Sequence, residues 1–300
     1  MATQTTDVTA APEQGLLVDQ IRVAVPGGGL RHDLRAAGIV WRRELIRFRG
    51  DRLRAVTALI QPVLFLFVLG TGLGVLAGHS LPPGISFKTF IFPGVLAMSV
   101  LFTAIFSAAS IVWDREFGFL REILVAPVSR ASIVVGKCLG GATIATFQGI
   151  IFLALAGFAD VPYNPVLILT LIGELLLLSF TLTAFGVMMA ARIKQLQAFM
   201  ALTQMLVMPL FFLSGALYPL TGLPAWLSVL TRLDPITYVV WPMRHAVFSH
   251  LDIPPAYLEH LSPGITWLGW PVPVALSLGI VAAMGLAMMG IAIAEFRKTE

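Results

Sequence analysis

Charged side chains are rare in this sequence, and one group of them lies in WDREFGFLREILVAPVSR, residues 113–130, between two long apolar runs. These eighteen positions carry six charges of both signs, which suits them to ion pairing with a partner surface. On a helix of about 100° per residue, most polar side chains gather on one face and Phe and Leu on the other. Glu116 is the exception, because it lies in the middle of the apolar face, where a lone carboxylate is costly unless it is paired.

The same stretch predicts an amphipathic helix over 114–127. The helix ends before Pro127 because a proline disfavours helical geometry in the residue that precedes it. Such a helix either lies in the lipid headgroup layer or docks into a groove on a cytoplasmic partner protein. Only the docking interpretation gives Glu116 a partner.

A second amphipathic helix is predicted over 31–54, in RHDLRAAGIVWRRELIRFRGDRLR. Its apolar stripe consists of Leu34, Trp41, Leu45 and Phe48. The basic residues around that stripe include Arg42, Arg43, Arg47 and Arg49. Anionic lipid attracts such a helix to the membrane surface by about 1 kcal/mol per basic residue. We also hypothesise that one of its arginines pairs with Glu116.

A few polar and adaptable side chains lie inside the apolar runs. Glu174 is an acid well inside one of them, and such a carboxylate marks a functional site by default; the alternative is a protonated or water-contacting acid that holds a packing interface. Gln204 either lines a polar path or bridges helices by hydrogen bonds. Met and aromatic side chains repack around varied ligands, although ordinary lipid or core contact explains them equally well. The predicted substrate path therefore contains Glu174, Gln204, Met205, Met208, Phe211 and Phe212.

Motifs that an enzyme would need are absent from the sequence. A phosphate-binding loop of the form GxxxxGK[ST] does not occur, so the chain must borrow energy from another subunit if it uses ATP. No HExxH or other intramembrane catalytic motif occurs in the apolar runs, which argues against an intramembrane enzyme. The spacing of His245, His250 and His260 matches no zinc signature, and no metal site is predicted.

The composition defines the setting of these residues. Of 300 residues, 57% are hydrophobic and 12% charged, with a mean hydropathy of +0.88, whereas soluble domains carry about 25% charge. The sequence predicts an all-α integral membrane protein, because six runs reach the roughly 20 apolar residues that cross a bilayer. These runs are 55–77, 89–112, 133–158, 166–190, 196–219 and 271–294. Residues 1–30 are predicted to form a disordered tail, and they lack the pattern of a secretory signal.

The basic residues predict the topology, since Lys and Arg concentrate on the cytoplasmic side of short loops. Of the 20 Lys and Arg residues, only Lys88, Arg232 and Arg244 fall on the opposite side. Both termini are therefore predicted to be cytoplasmic. Residues 220–270 contain apolar pieces too short to span, at 223–231 and 236–249, and we predict short re-entrant helices in the outer leaflet.

Taken together, these features resemble those of the permease subunits of type 2 ABC exporters, in particular the daunorubicin-resistance-type drug and lipid exporters. The resemblance covers roughly residues 33–297. It rests on the amphipathic helix, the six spans, the E-x-G sequence at 116–118 followed by LREILVAPVSR, and PLFFLSGALYPLTGLPAWLSVLTRLDPITYVVWPMR. Two positions depart from the family, because many relatives have Asn in place of Asp234 and some have an acidic residue near Pro242.

In that family, the loop between spans two and three is the coupling helix that docks on the nucleotide-binding subunit. The resemblance therefore assigns ATPase coupling to Arg115, Glu116, Gly118, Leu120, Arg121, Glu122 and Pro127. It assigns an outer gate, at the end of span five and in the re-entrant helices, to Ser214, Gly215, Tyr218, Pro219, Asp234, Tyr238 and Arg244.

The resemblance also implies a function for residues 55–297, the permease domain. That function is ATP-driven export of hydrophobic or amphipathic cargo, such as a drug, a lipid or a lipid-like natural product, across the cell membrane. A separate ABC ATPase subunit would bind ATP and Mg, and a second permease copy or a paralogue would complete the transporter. Export of lipid-linked polysaccharide is the alternative within this class, and nothing in the sequence indicates a nucleic-acid partner.

Overall fold

A computed structural model describes residues 29–77, 85–118, 128–220, 222–251, 253, 262, 264–267 and 270–298. Helices dominate this part of the chain. The strands found in it form one short antiparallel pair, Thr266–Trp267 with Trp270–Pro271. The predicted tail, residues 1–30, lies outside the described residues except for its last two positions.

Six helices are long and apolar enough to cross a membrane, which confirms the predicted number. We call them spans one to six: Ala55–Val75, Phe87–Glu116, Arg130–Leu153, Pro165–Arg192, Leu196–Leu213 and Val274–Lys298. The amphipathic helix, Leu30–Gly50, precedes span one. Two shorter helices, Ala225–Leu233 and Thr237–Ser249, follow span five and are called the first and second outer helices. Their position relative to the lipid stays a prediction.

Local sequence explains where several helices begin and bend. Ser129 caps span three by accepting a hydrogen bond from the backbone N–H of Ser132, 3.2 Å away, and Asn164 caps span four in the same way through Val166. Span one and the residues flanking it consist of the helix Arg52–Leu64, a π-helical turn at Phe65–Leu69 and the helix Gly70–Ala77. The π turn follows Pro62, whose missing N–H interrupts the regular backbone ladder.

The spans divide into a packed centre and a periphery. In the most apolar window of 18 consecutive residues in span two, 83% of the residues are buried. The same buried fraction is 72% for span three and 50% for span four. The corresponding values for spans one, five and six are 17%, 22% and 22%. Spans two, three and four therefore form the core of this chain, and much of the other three spans is left to face lipid or another subunit.

The charged stretch at 113–130 differs from its prediction at the beginning. Asp114 and Glu116 do not start a new helix, because the last helix of span two, Ala109–Glu116, continues through them. Phe117 and Gly118 then turn the chain, and Gly118 has φ of +84°, which only glycine adopts without strain. The remaining part of the predicted coupling helix, residues 119–127, lies outside the described residues.

Candidate functional site

A buried cluster of charges joins the amphipathic helix to spans two and three. The ammonium group of Lys137 lies 2.6 Å from Oε1 of Glu44 and 3.3 Å from Oδ2 of Asp114, and it donates a third hydrogen bond to Ser110 Oγ. All four side chains are buried. Burying an unpaired charge is very costly, so the lysine and its two carboxylates depend on one another.

Sequence reasoning missed this cluster. It counts Lys137 only among the cytoplasmic basic residues, near the start of the predicted run 133–158, places Asp114 on the polar face of the predicted helix 114–127, and gives Glu44 no role. Two signals were available in the sequence. The lysine lies between Gly136 and Gly140, a spacing that lets another helix approach closely, and Glu44 is an acid among the arginines of the amphipathic helix.

The glycines flanking Lys137 are where the amphipathic helix rests on span three. A Cβ atom at Gly136 would lie 2.6 Å from the carbonyl oxygen of Ala37, and one at Gly140 would lie 2.8 Å from Cβ of Glu44. The helix buries Ala37 and Glu44, whereas Leu34 of the predicted apolar stripe is 65% exposed. The helix therefore packs on the protein through small residues and a carboxylate, and much of its apolar stripe faces outward.

Among the described residues, the arginines of this helix that form ion pairs contact Asp114 and not Glu116, the acid that the hypothesis named. Nη2 of Arg43 lies 3.6 Å from the carboxylate of Asp114, and Nη1 of Arg47 lies 3.8 Å from it, so Asp114 forms an ion pair with each arginine. The helix of span two continues through both acids, and each residue of a helix is rotated by about 100° from the one before it. The Glu116 side chain is therefore rotated by about 200° from that of Asp114 and faces away from the amphipathic helix. The other two predicted arginines, Arg42 and Arg49, are exposed.

Residues at the two ends of the loop between spans two and three bind the ends of three other spans. Arg115 donates to the carbonyls of Ala190 and Ile193 at the end of span four, with distances of 3.0 and 2.7 Å. Arg130 donates to the carbonyls of Phe296 and Arg297 at the end of span six. Both contacts satisfy carbonyl groups that a helix end leaves without partners.

Glu116 makes the third contact. Its Oε2 atom accepts a hydrogen bond of 2.8 Å from the backbone N–H of Leu196, the first residue of span five. Arg115 and Glu116 therefore contact the end of span four and the start of span five, respectively. Gly118 forms the turn after them, and the predicted coupling residues Leu120, Arg121, Glu122 and Pro127 lie outside the described residues.

Two adjoining cavities lie beside the charge cluster. The first is about 270 Å³ and is lined by charged residues of the amphipathic helix, including Glu44 and Arg47, and by apolar Trp113, Leu196 and Met200. The second is about 370 Å³ and is lined mainly by apolar residues of spans one, two and five, among them Ala58, Phe102, Phe106 and Met200, with Gln61 and Gln148. Phe48, Thr103 and Met200 line both. Together they form one amphipathic groove, charged at one end and apolar at the other.

The predicted substrate path does not coincide with these cavities. Met205 is 67% exposed on the outer surface of span five, Gln204 and Phe212 are also exposed, and Met208 is half-buried. Phe211 is buried in edge-to-face contact with Phe65 of span one. Met200, about one turn nearer the start of span five, is the methionine that lines the groove. Periodicity could not distinguish these positions, because apolar residues occur on every face of this span.

Glu174 is buried in span four, and its Oε2 atom has no hydrogen-bond partner among the described residues. It lines neither part of the groove. Gln148, in contrast, uses its amide to join two spans, because Nε2 donates to the carbonyl of Ala55 at 2.8 Å. A role for Glu174 in the substrate path stays a prediction.

At the other end of the molecule, the structure connects the predicted outer-gate residues. Arg244 is buried, donates to the carbonyls of Gly215 and Ala216 at 2.8 and 3.0 Å, and lies 4.3 Å above the ring of Phe90. Burial lowers the pKa of Arg244 to about 10, so the group stays cationic at neutral pH. This arginine ties the second outer helix to the end of span five and to span two.

Asp234 and Tyr238 hold the start of the second outer helix. The carboxylate of Asp234 accepts hydrogen bonds from the N–H of Ile236 and, at 3.4 Å, from Thr237 Oγ1, and burial raises its pKa to about 8. The Tyr238 hydroxyl donates to the carbonyl of Arg232 and accepts from Trp267.

The remaining predicted gate residues, Ser214, Gly215, Tyr218 and Pro219, lie on the turn after span five. Ser214 is buried and donates to the carbonyl of Phe211, whereas Pro219 is exposed. Of the three histidines, His245 is exposed and His250 contacts the carbonyl of Ala246 through Nδ1. His260 lies outside the described residues.

Six spans, an amphipathic helix packed on span three and an amphipathic groove beside them fit a multi-pass membrane transport component. The chain belongs to the ABC-2 type transporter family, whose model matches residues 35–248. This finding confirms the resemblance drawn from the sequence.

Named relatives agree with this assignment. The chain is 29% identical over 220 residues to a transport permease, ycf38, of Cyanophora paradoxa, covering 71% of this chain and 73% of that one. It is 28% identical to the "Inner membrane transport permease YadH" of Escherichia coli K12, covering 72% and 84%. It is 31% identical to the "Probable multidrug ABC transporter permease YbhR" of the same strain, covering 72% of this chain but 54% of the relative. The chain is therefore a transporter component rather than an enzyme, and its family implies an ABC ATPase partner.

Proposed function

We propose that this chain is the permease subunit of an ATP-driven exporter that moves hydrophobic or amphipathic cargo, such as a drug, a lipid or a lipid-like natural product, out of the cell. The observation that carries the proposal is the groove between spans one, two and five. Its charged end suits a polar headgroup and its apolar end suits a hydrocarbon or aromatic body. One of the relatives is named a multidrug transporter permease, which supports the same cargo class.

The proposal places the charged end of the groove at the cytoplasmic face. The distribution of Lys and Arg supports this orientation, with both termini cytoplasmic, because basic residues concentrate at the ends of spans two and six and before span one. Cargo then enters from the cytoplasm or the inner leaflet. The outer helices, held by Arg244 and Asp234, cover the opposite exit.

Energy comes from the partner in this proposal. A separate ABC ATPase subunit binds ATP and Mg and docks on the loop between spans two and three. Because Arg115, Glu116 and Arg130 connect the ends of that loop to spans four, five and six, a displacement of the loop reaches all three helices. A second permease copy or a paralogue covers the poorly buried faces of spans one and five.

Export of a lipid-linked polysaccharide is the second candidate of the same class. The two cavities of the groove have volumes of about 270 and 370 Å³, which suit a compact amphipathic molecule better than a carbohydrate chain. We therefore favour the smaller cargo.

The test uses inside-out membrane vesicles containing the permease and its candidate ATPase subunit. We expect ATP-dependent uptake of an amphipathic fluorescent dye and a permease-dependent change in the ATPase rate, both absent when either subunit is omitted. Glu116→Ala and Arg121→Ala should retain the complex but reduce the permease-dependent change in the ATPase rate. An ATPase rate that is indifferent to the wild-type permease would contradict the proposal.

A further inference from the structure

The start of span five depends on a residue from a distant part of the chain. Its own preceding residue, Gln195, makes no side-chain capping bond. The first N–H groups of a helix lack partners within the helix and carry partial positive charge, so a carboxylate there is doubly favourable. Glu116, 80 positions earlier, supplies that carboxylate to the N–H of Leu196.

Span five also shares less of its surface with the core than span four, the partner of Arg115. The most apolar window of span five is 22% buried. Arg115, in contrast, binds the end of span four, whose window is 50% buried and which packs on spans two, three and six. The Glu116 contact is therefore attached to a helix that packs into the core along one side, through Phe199, Val207 and Phe211, and is largely exposed elsewhere.

The same contact lies beside the charged end of the groove. Trp113, near the end of span two, and Leu196 and Met200, at the start of span five, line that end from two sides. Phe117 packs on Trp113 in a tilted arrangement with 4.7 Å between ring centroids, so the turn after Glu116 is packed against the span-two wall. The hydrogen bond from Leu196 to Glu116 fastens the span-five wall to this turn.

We propose that Glu116 is a positioning residue that holds the start of span five against the end of span two and thereby keeps the charged end of the groove narrow. Displacement of the loop breaks the bond to Leu196, and the start of span five swings away and widens the groove. This inference rests on the proposed function for its trigger, the docked ATPase subunit. The contact itself requires no partner.

The experiment measures access to the groove through cysteine labelling. Met200→Cys is introduced on span five, and a membrane-impermeant maleimide is applied to inside-out vesicles containing the permease and ATPase complex. The native Cys138 is buried in span three, so it contributes little background and reports unfolding if it becomes reactive. Labelling rates are compared for Glu116→Ala, Glu116→Gln and the control Glu295→Ala, with and without nucleotide.

Without nucleotide, we expect the Glu116→Ala variant to be labelled about fivefold faster than the parent. Loss of a typical helix-capping hydrogen bond shifts an equilibrium between a closed and an open groove by about this factor. Glu116→Gln should fall between them, because its amide oxygen still accepts from Leu196 but carries no charge. Glu295→Ala removes a carboxylate that pairs with Arg192 at the ends of spans four and six, and it should match the parent.

The outcomes separate this inference from the proposed function. If nucleotide changes the labelling rate equally in the parent and in Glu116→Ala, the positioning role is overturned and the exporter proposal stands. If nucleotide has no effect on the parent and the ATPase ignores the permease, the exporter proposal fails, and the nucleotide-free comparison still decides the role of Glu116. Equal nucleotide-free rates in Glu116→Ala and the parent overturn that role.

Discussion

Glu44 of the amphipathic helix and Lys137 of span three form a buried ion pair, with 2.6 Å between Oε1 and Nζ, although 93 positions separate them in the chain. Asp114 of span two completes the cluster at 3.3 Å from the same ammonium group. A helix held to the membrane only by lipid headgroups would have no need of a buried ion-pair partner in the protein. The pair fixes the amphipathic helix at one position on the spans, beside the charged end of the groove.

Lys137→Met should strongly destabilise the protein. The substitution leaves Glu44 and Asp114 buried side by side without their shared cation, and breaking a buried pair by removing one partner costs about 3–5 kcal/mol. Thermal unfolding in detergent would show the loss, with the exposed Arg42→Ala as a control that leaves the midpoint unchanged. The triple variant Glu44→Gln, Asp114→Asn, Lys137→Met should recover much of the stability, and a single variant as stable as wild type would contradict the role of the cluster.

Gly136→Ala should loosen the amphipathic helix from span three. The new Cβ would lie 2.6 Å from the backbone oxygen of Ala37, so the helix must shift, and overpacking of this kind costs about 1–3 kcal/mol. Limited proteolysis of the amphipathic helix and the unfolding midpoint both measure the effect. Gly290→Ala is the matched control, because a Cβ there meets nothing within 4 Å. Equal behaviour of the two variants would argue against close packing at this site.

Met200→Trp should block the groove and reduce dye uptake several-fold while leaving the complex intact. Met200 lines both cavities, and an indole there occupies much of the space between spans two and five. Met205→Trp is the control, since that side chain is 67% exposed on the outside of the same helix. The measurement is ATP-dependent uptake into inside-out vesicles. A larger loss in Met205→Trp than in Met200→Trp would place the cargo on the outer surface of span five instead.

Asp234 should make the outer helices sensitive to pH. Its folded-state pKa is raised by burial to about 8, above the value of 3.8 expected when exposed, so the folded form retains the proton more firmly than the unfolded form. The associated stability is complete below about pH 3.8, the pKa of the exposed group. It is lost by up to about 1.4 kcal/mol per pH unit as the pH rises from there to about 8, and it changes no further above that. The unfolding midpoint should therefore be lower at about pH 9 than at about pH 6.

The control for that titration is Asp234→Asn. The amide oxygen can still accept from the N–H of Ile236, but it carries no charge to desolvate. The difference in midpoint between the two pH values should shrink in this variant. An unchanged difference would assign the pH dependence to other groups.

The sequence by itself determined the six spans, the amphipathic helix before span one and the family. These follow from local properties, because about 20 apolar residues must form a helix to cross lipid and because basic residues remain outside it. It also identified Arg115, Glu116 and Arg244 as residues that matter.

Only the tertiary structure decided what those residues contact. Whether Asp114 or Glu116 meets the arginines depends on where the helix of span two ends, a shift of a few residues that rotates one acid toward the amphipathic helix and the other toward span five. Likewise, Lys137 counts only as one more cytoplasmic basic residue until the structure shows Glu44 beside it, on a helix that the two flanking glycines allow to approach closely. Periodicity assigns a side chain to a face of its helix, whereas its partner is set by the packing of helices far apart in the chain.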